Sequence, residues 1–358
     1  MRSVGHAHAR RSSCGTCRHC FPTLEMSAVT RSSTMRGAGL AATWQVRALL
    51  GVLGGGAAGA ALAQSASLTN GINTGGTSFL DGFTSTTPGL ALITYLRHDA
   101  LDAMKDARGN DVPVFDNPRI DSTVLLTQFA YVTPYKLFGG SLGITALVPL
   151  VDLDASFGRN SIATLRDNGA GLGDVTFGPY LQMPPVIRNG RPVFSQRFEL
   201  DTVAPVGKFD RDLNQSSGYW SLIPSYAFTV LPTPKWEVSA RINYIYNFRS
   251  ERRPNVPPGF DFRNGQAGDA GWLNFATSWE VTPTLRLGVN AYYLTQFRDS
   301  RTNDERVADS RQRAFYAGPG GVWRFDARNI LFANLYLPVE VRNAASGTNV
   351  NFEYVHVF

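Results

Sequence analysis

Beyond residue 63 the sequence has no cysteine, and therefore no disulfide. It has four lysines against 23 arginines, two histidines, and no apolar run of the roughly 20 residues that a lipid-spanning helix needs. It also lacks net charge there. Residues 1–63 hold seven arginines and one acid, Glu25, and setting them aside leaves 27 basic and 27 acidic residues in 64–358. That balance removes nucleic acid from the expected partners, because a phosphate-binding surface needs an excess of positive charge. A hydrophobic share of 43% with 17% charged residues excludes disorder over the whole chain.

What is present begins with a leader. Arg36 and Arg47 precede an apolar stretch, Ala48 to Leu62, and Ala61-Leu-Ala63 before Gln64 is a small-x-small cleavage pattern, so a signal peptide ending after Ala63 is expected. Met26 or Met35 would each start an ordinary signal peptide, which points to an over-extended start. Cys14, Cys17 and Cys20, with His6, His8 and His19 nearby, all fall in this leader. A structural metal site needs two separated ligand pairs, and the chain has no second pair, so no metal and no cofactor is expected.

From 64 to 358 the dominant pattern has period two. Trp236, Val238, Ala240, Ile242, Tyr244, Tyr246 and Phe248 share one face; Glu237, Ser239, Arg241, Asn243 and Asn247 share the other, with Ile245 the exception. Leu285 to Tyr293 and Phe194 to Asp201 repeat it. A greasy face of thirteen residues with aromatic ends matches a tilted strand across a bilayer, and is longer than the five or six residues usual in a soluble sheet.

Twelve such segments are predicted, near 89–98, 121–132, 141–151, 172–182, 193–203, 218–230, 235–248, 270–281, 285–297, 312–325, 329–341 and 348–358. Short turns alternate with longer polar connections, as in bacterial outer-membrane barrels. Open sheet edges do not survive in lipid, where each unpaired backbone group costs several kcal/mol. The expected fold is therefore an all-β, transmembrane, antiparallel up-and-down β-barrel spanning 89–358, with both termini periplasmic and residues 64–88 either a periplasmic segment or a lumen plug. The last strand places Val350, Phe352, Tyr354, His356 and Phe358 at alternate positions. A terminal Phe358 on such a strand fits recognition by the barrel assembly machinery.

Several stretches resemble the outer-membrane transporter family of the meta-pathway of phenol degradation: Gly171-Leu-Gly-Asp-Val-Thr-Phe-Gly-Pro-Tyr180, Ala204-Pro-Val-Gly-Lys-Phe209 with Gly218-Tyr-Trp220 and Pro224, Leu287-Gly-Val-Asn-Ala-Tyr-Tyr293 with Gln296, and Gly318-Pro319. The resemblance covers roughly 85–358 and departs at Arg263 to Gln266. It implies an outer-membrane channel of a Gram-negative bacterium that admits small organic, often aromatic, compounds.

The glycines near Asp174 lack the Gly-Lys-Ser/Thr sequence and following helix of a phosphate loop, so bending and close packing are expected of them. Pro179, Pro224, Pro319 and Pro338 fall inside predicted strands and remove ladder donors, which predicts bulges or unpaired gaps of the kind some barrels use as lateral exits. A barrel enzyme acting on lipids is the second function class. His98 and His356 are predicted most of a strand apart, and no Gly-x-Ser-x-Gly setting exists, so no catalytic residue is expected. A non-conducting structural or adhesin barrel is the third.

Function is expected in the lumen. Arg197, Glu199, Asp201, Arg241, Asn243, Arg286, Asn290 and Glu340 are all assigned to the inner face, either as ion pairs that satisfy each other or as a lining that selects solutes. Arginine's planar, stacking head would suit aromatic acids or phenolates. The expected partners are a small organic solute, outer-membrane lipids, and lipopolysaccharide phosphates against loop arginines such as Arg298, Arg301 and Arg306.

Overall fold

The computed structural model describes residues 72–252 and 260–358. The predicted leader, residues 64–71 and residues 253–259 lie outside the described residues. Seventeen strands occur among them: β1 (Gly89–Met104), β2 (Arg119–Leu137), β3 (Gly140–Ser156), β4 (Gly169–Leu172), β5 (Val175–Gln182), β6 (Val186–Arg188), β7 (Arg191–Ala204), β8 (Ser221–Val230), β9 (Trp236–Asn247), β10 (Gly265–Gln266), β11 (Ala270–Thr282), β12 (Leu285–Gln296), β13 (Arg301–Thr302), β14 (Glu305–Arg306), β15 (Arg313–Arg324), β16 (Asn329–Arg342) and β17 (Ala345–Val357). Thirteen of them close a barrel of twelve staves, with β4 and β5 together forming the fourth stave and β6 a short extension beside β7. Every neighbouring pair is antiparallel, and the circuit closes where β17 meets β1, from Ala91 opposite Val357 to Met104 opposite Ala345.

The twelve staves coincide with the twelve predicted segments. The first three run longer than their apolar patterns, to Met104, Leu137 and Ser156. Polar residues such as Asp99, Asp121 and Asp154 hold their ladder places, since backbone pairing does not require an apolar side chain.

One end of the barrel carries short turns: Phe138 and Gly139 between β2 and β3, Pro283 and Thr284 between β11 and β12, and Phe325 to Arg328 between β15 and β16. Phe138 and Gly139 both take positive φ, 51° and 82°, the conformation a two-residue hairpin turn demands. The other end carries the long connections, and only Asn343 and Ala344 link β16 to β17 there. The outer face is apolar around the circuit, with Leu125, Ile144, Phe198, Ile242, Leu287, Val289 and Phe352 among its exposed residues. Trp236, Trp279 and Trp323 stand toward the turn end, and Trp220, Tyr246, Phe248 and Phe297 toward the loop end, two aromatic belts at the heights of the lipid headgroups.

The four prolines singled out from sequence, Pro179, Pro224, Pro319 and Pro338, all sit at or beside ladder interruptions. The β5–β7 register jumps from Phe177–Thr202 to Tyr180–Glu199 across Pro179. The β8–β9 register jumps from Leu222–Tyr246 to Ser225–Asn243 across Pro224. Between β15 and β16 it jumps across Pro319, and a bulge at Val339 directly follows Pro338. At the first gap the strands stay close: a Cβ on Gly178 would stand 2.1 Å from the Leu200 carbonyl oxygen.

Candidate functional site: the barrel lumen

Residues 72–88 thread the lumen. Phe79 packs on Ala276, Val322 and Phe332. The plug's backbone is tied to the wall at many points: Asn274 Oδ1 accepts from Gly75 N at 3.0 Å, Thr229 Oγ1 from Gly82 N at 2.9 Å, and Glu237 Oε2 from Leu80 N at 3.2 Å. Gly82 O accepts from Ser195 Oγ at 2.8 Å and from Gln182 Nε2 at 3.1 Å, while Gly75 O accepts from Tyr336 Oη at 2.9 Å. The anchoring groups belong mainly to β5 through β17, whose inner faces are polar and buried. An extended segment without its own ladder needs such partners, because buried backbone groups left unpaired are costly.

The hub of the plug is Asp81. Arg241 Nη2 lies 2.7 Å from Asp81 Oδ1 and Arg241 Nη1 2.8 Å from Glu199 Oε2; Arg197 reaches Asp81 at 3.2 Å and Glu199 at 3.6 Å. Nearby, Arg286 contacts Glu280 at 3.1 Å and Ser278 Oγ at 3.0 Å, and Arg97 contacts Asp99 at 2.8 Å. The lumen arginines are thus neutralised in place. A bare arginine track that would hold a carboxylate is not what the wall presents.

Of the residues assigned to the inner face from sequence, Arg197, Glu199, Asp201, Arg241 and Asn243 gather on β7 and β9 around this hub. Arg286 and Asn290 face inward on β12, with Asn290 fully buried near Phe79, Gly320 and Asn334. Glu340 is different. The bulge after Pro338 reverses the parity of β16, so Val341 enters the tyrosine cluster of Tyr292, Tyr316 and Tyr336, while Glu340 turns outward between Arg342, at 2.7 Å, and Arg313, at 3.5 Å. Ile245, the apolar exception on the polar face of β9, is buried with Val203, Ile223, Trp272 and Leu294 near the loop end. His98 stands on the outer face beside Thr123 Oγ1 at 3.0 Å, opposite Val350, six residues along β17 from His356.

Sequence reasoning missed Asp81, Tyr95, Tyr180 and Glu353. The last three were legible by parity, for each alternates with lipid-facing residues. Asp81 carries no such mark, because residues 72–88 have no period.

The cavity beside the plug measures about 1220 Å³ and runs from Leu231, Pro234 and Phe358 at the turn end to Met104, Phe115 and Asn343 at the loop end. Its free wall is the inner face of β2 and β3, lined by Val124, Leu126, Ala130, Leu147, Pro149 and Val151. Val112 and Phe115, from the connection between β1 and β2, fold in over that wall.

The motif glycines act in the loops. Asp174, 4% exposed, accepts from Ser217 N and Ser217 Oγ at 2.8 Å and from Gly207 N at 3.2 Å. Lys208 Nζ donates to Ala170 O at 2.7 Å. A Cβ on Gly207 would lie 2.7 Å from Leu172 O, so only glycine lets the two segments meet this closely. Gly171 to Asp174 and Ala204 to Phe209 thus form one clasp.

The family model for the MetA-pathway of phenol degradation matches residues 101–354. The chain belongs to that family. Its fold is also that of an outer membrane channel from Pseudomonas putida F1, with a TM-score of 0.67 and 17% identity over 79% of this chain and 100% of that one. Remoter barrels include the translocator domain of the autotransporter NalP from Neisseria meningitidis (TM-score 0.42, 10% identity, 77% of this chain and 91% of that one) and a FadL homologue from Pseudomonas aeruginosa (0.39, 10%, 79% and 96%). No curated protein matches the chain.

Proposed function

We propose that the protein is an outer-membrane channel that passes small organic solutes by facilitated diffusion, with no cofactor and no chemical step. The observation that carries this reading is the cavity that runs past the plug from one end of the barrel to the other. A solute in it slides between a plug tied to the polar wall and an apolar wall that needs no hydration. Apolar area contributes about 25 cal/mol per Å², enough to collect a small hydrocarbon without trapping it.

The orientation follows the usual arrangement of such barrels, short turns and both termini periplasmic and long loops outside. Export by the signal peptide ending at Ala63, and assembly through Phe358, belong to the same reading. Phe358 is exposed, its ring edge-on to His356 at 4.6 Å. Loop arginines meeting lipopolysaccharide phosphates also belong here, although Arg306 and Arg311 already contact Asp299, at 2.5 and 3.5 Å.

The test is planar-bilayer conductance of protein purified from outer membranes. Discrete current steps, with swelling of proteoliposomes in small aromatic solutes, are expected. Silent membranes around a properly folded, heat-modifiable barrel would overturn the channel.

A further inference from the structure

The free wall and the charged hub meet in a chamber whose chemistry selects one kind of solute. Its sides are apolar: Leu126 on β2, and Leu147 and Pro149 on β3. Its floor is polar. Tyr95 Oη donates to Gln128 Oε1 at 2.9 Å, and Gln128 Nε2 donates to Thr145 Oγ1 at 2.8 Å, which closes the floor across β1, β2 and β3. Tyr180 and Asp201 continue it across β5 and β7.

Three polar atoms of that floor lack a hydrogen-bond partner: Arg197 Nε, which is held to Glu199 by charge at 3.6 Å, and two acceptors, Tyr180 Oη and Asp201 Oδ1. Tyr180 is 4% exposed, lines the cavity, and its hydroxyl has no hydrogen-bond partner; Asp201 Oδ1 is buried and likewise unpartnered. Asp201 folds over Gly178, its Oδ1 2.8 Å from where a Cβ would stand, and Tyr180 is the next inward residue along β5. Arg197 and Arg241 are both held by Asp81 and Glu199, and among the described residues no arginine or lysine forms an ion pair with Asp201. Counted over the whole lining, nine carboxylates face six cationic side chains. By formal charge the lining has an excess of acids.

Resting on the channel reading above, we propose that this chamber binds a small apolar or aromatic molecule bearing one protonated amine. The ammonium pairs with the Asp201 carboxylate, Tyr180 turns its unpartnered hydroxyl to accept a second hydrogen bond, and the hydrocarbon part packs on Leu126, Leu147 and Pro149. A neutral hydroxyl satisfies one acceptor without the charge. A carboxylate can take the Tyr180 hydroxyl as a donor but meets Asp201 at like charge, so it binds more weakly than the amine. The chamber thus selects against the aromatic acids that the arginine count alone would favour.

The experiment compares phenethylamine, phenethyl alcohol and phenylacetate, three molecules of one shape and three charges. Half-block of the ion current and calorimetric binding to the detergent-solubilised protein are both read. Phenethylamine is expected to act at a concentration at least about tenfold below phenylacetate, with the alcohol between them. Asp201→Asn should bring the amine to the alcohol's level, and Tyr180→Phe should weaken it about threefold. Heat-modifiable migration verifies that each variant folds, and Tyr180→Phe decides if Asp201→Asn does not. Equal action of amine and acid, or an unchanged amine in both variants, overturns the site while leaving a conducting barrel a channel. A barrel that carries no current but binds the amine by calorimetry keeps the site and loses the channel.

Discussion

The inner faces of β2 and β9 stand in one lumen and could hardly differ more. Val124, Leu126, Ala130 and Val132 line the first around a single Gln128; Glu237, Ser239, Arg241 and Asn243 line the second. The plug chooses between them. Its backbone needs hydrogen-bonding partners, so it lies against the polar wall, and the apolar wall is left free for a solute. A polar lining is therefore no guide to the solute's path in this barrel, because its groups are engaged in holding the plug.

Removing the plug should have the largest effect on that contrast. Deleting residues 72–88 is expected to raise single-channel conductance severalfold, since the wall from β7 to β12 would become wet; an unchanged conductance would mean the plug does not narrow the path. Next comes the ion pair at the plug's hub. Arg241→Leu leaves Arg197 alone against the buried Asp81 and Glu199, so that one carboxylate is uncompensated, and should cost about 3–5 kcal/mol, whereas Arg241→Leu with Asp81→Asn should recover part of it. Urea unfolding in lipid vesicles checks both.

On the apolar wall, Leu126→Asn should weaken binding of an apolar solute by about 1–2 kcal/mol with little change in potassium conductance. At the loops, Asp174→Ala forfeits the acceptor of Ser217 and Gly207 and should cost about 1–3 kcal/mol, read as faster proteolysis between 205 and 220. The smallest effect lies in a turn. Hydrogen bonds from the Asn329 side chain, then from Arg328 N, hold the exposed Asp326 carboxyl below its ordinary value. A depressed folded value means that the stabilisation is present above the ordinary carboxylate range and is lost as pH falls through the folded value. Wild type and Asp326→Asn should therefore differ slightly at neutral pH and converge in strong acid.

The staves were legible because lipid and lumen impose opposite demands on successive residues, as β9 displays. The prolines marked the ladder gaps correctly, since a missing N–H leaves the same trace in sequence and in structure. Three features were hidden for physical reasons. The bulge after Pro338 adds a residue without changing composition, so Glu340 was assigned to the wrong face. The free wall lacks alternation: Leu125 and Leu126, or Leu150 and Val151, are apolar toward lipid and lumen alike. Asp81 acts from a segment with no ladder, whose partners lie more than a hundred residues away along the chain.

The division of the lumen is tested most directly by cysteine accessibility, with Cys14, Cys17 and Cys20 changed to serine and the rest of the chain free of thiols. Leu147→Cys and Asn290→Cys would each be exposed to a charged methanethiosulfonate while current is recorded. The account predicts a stepwise block at 147, where the wall faces open space, and none at 290, which lies fully buried. Block at 290 with silence at 147 would contradict it.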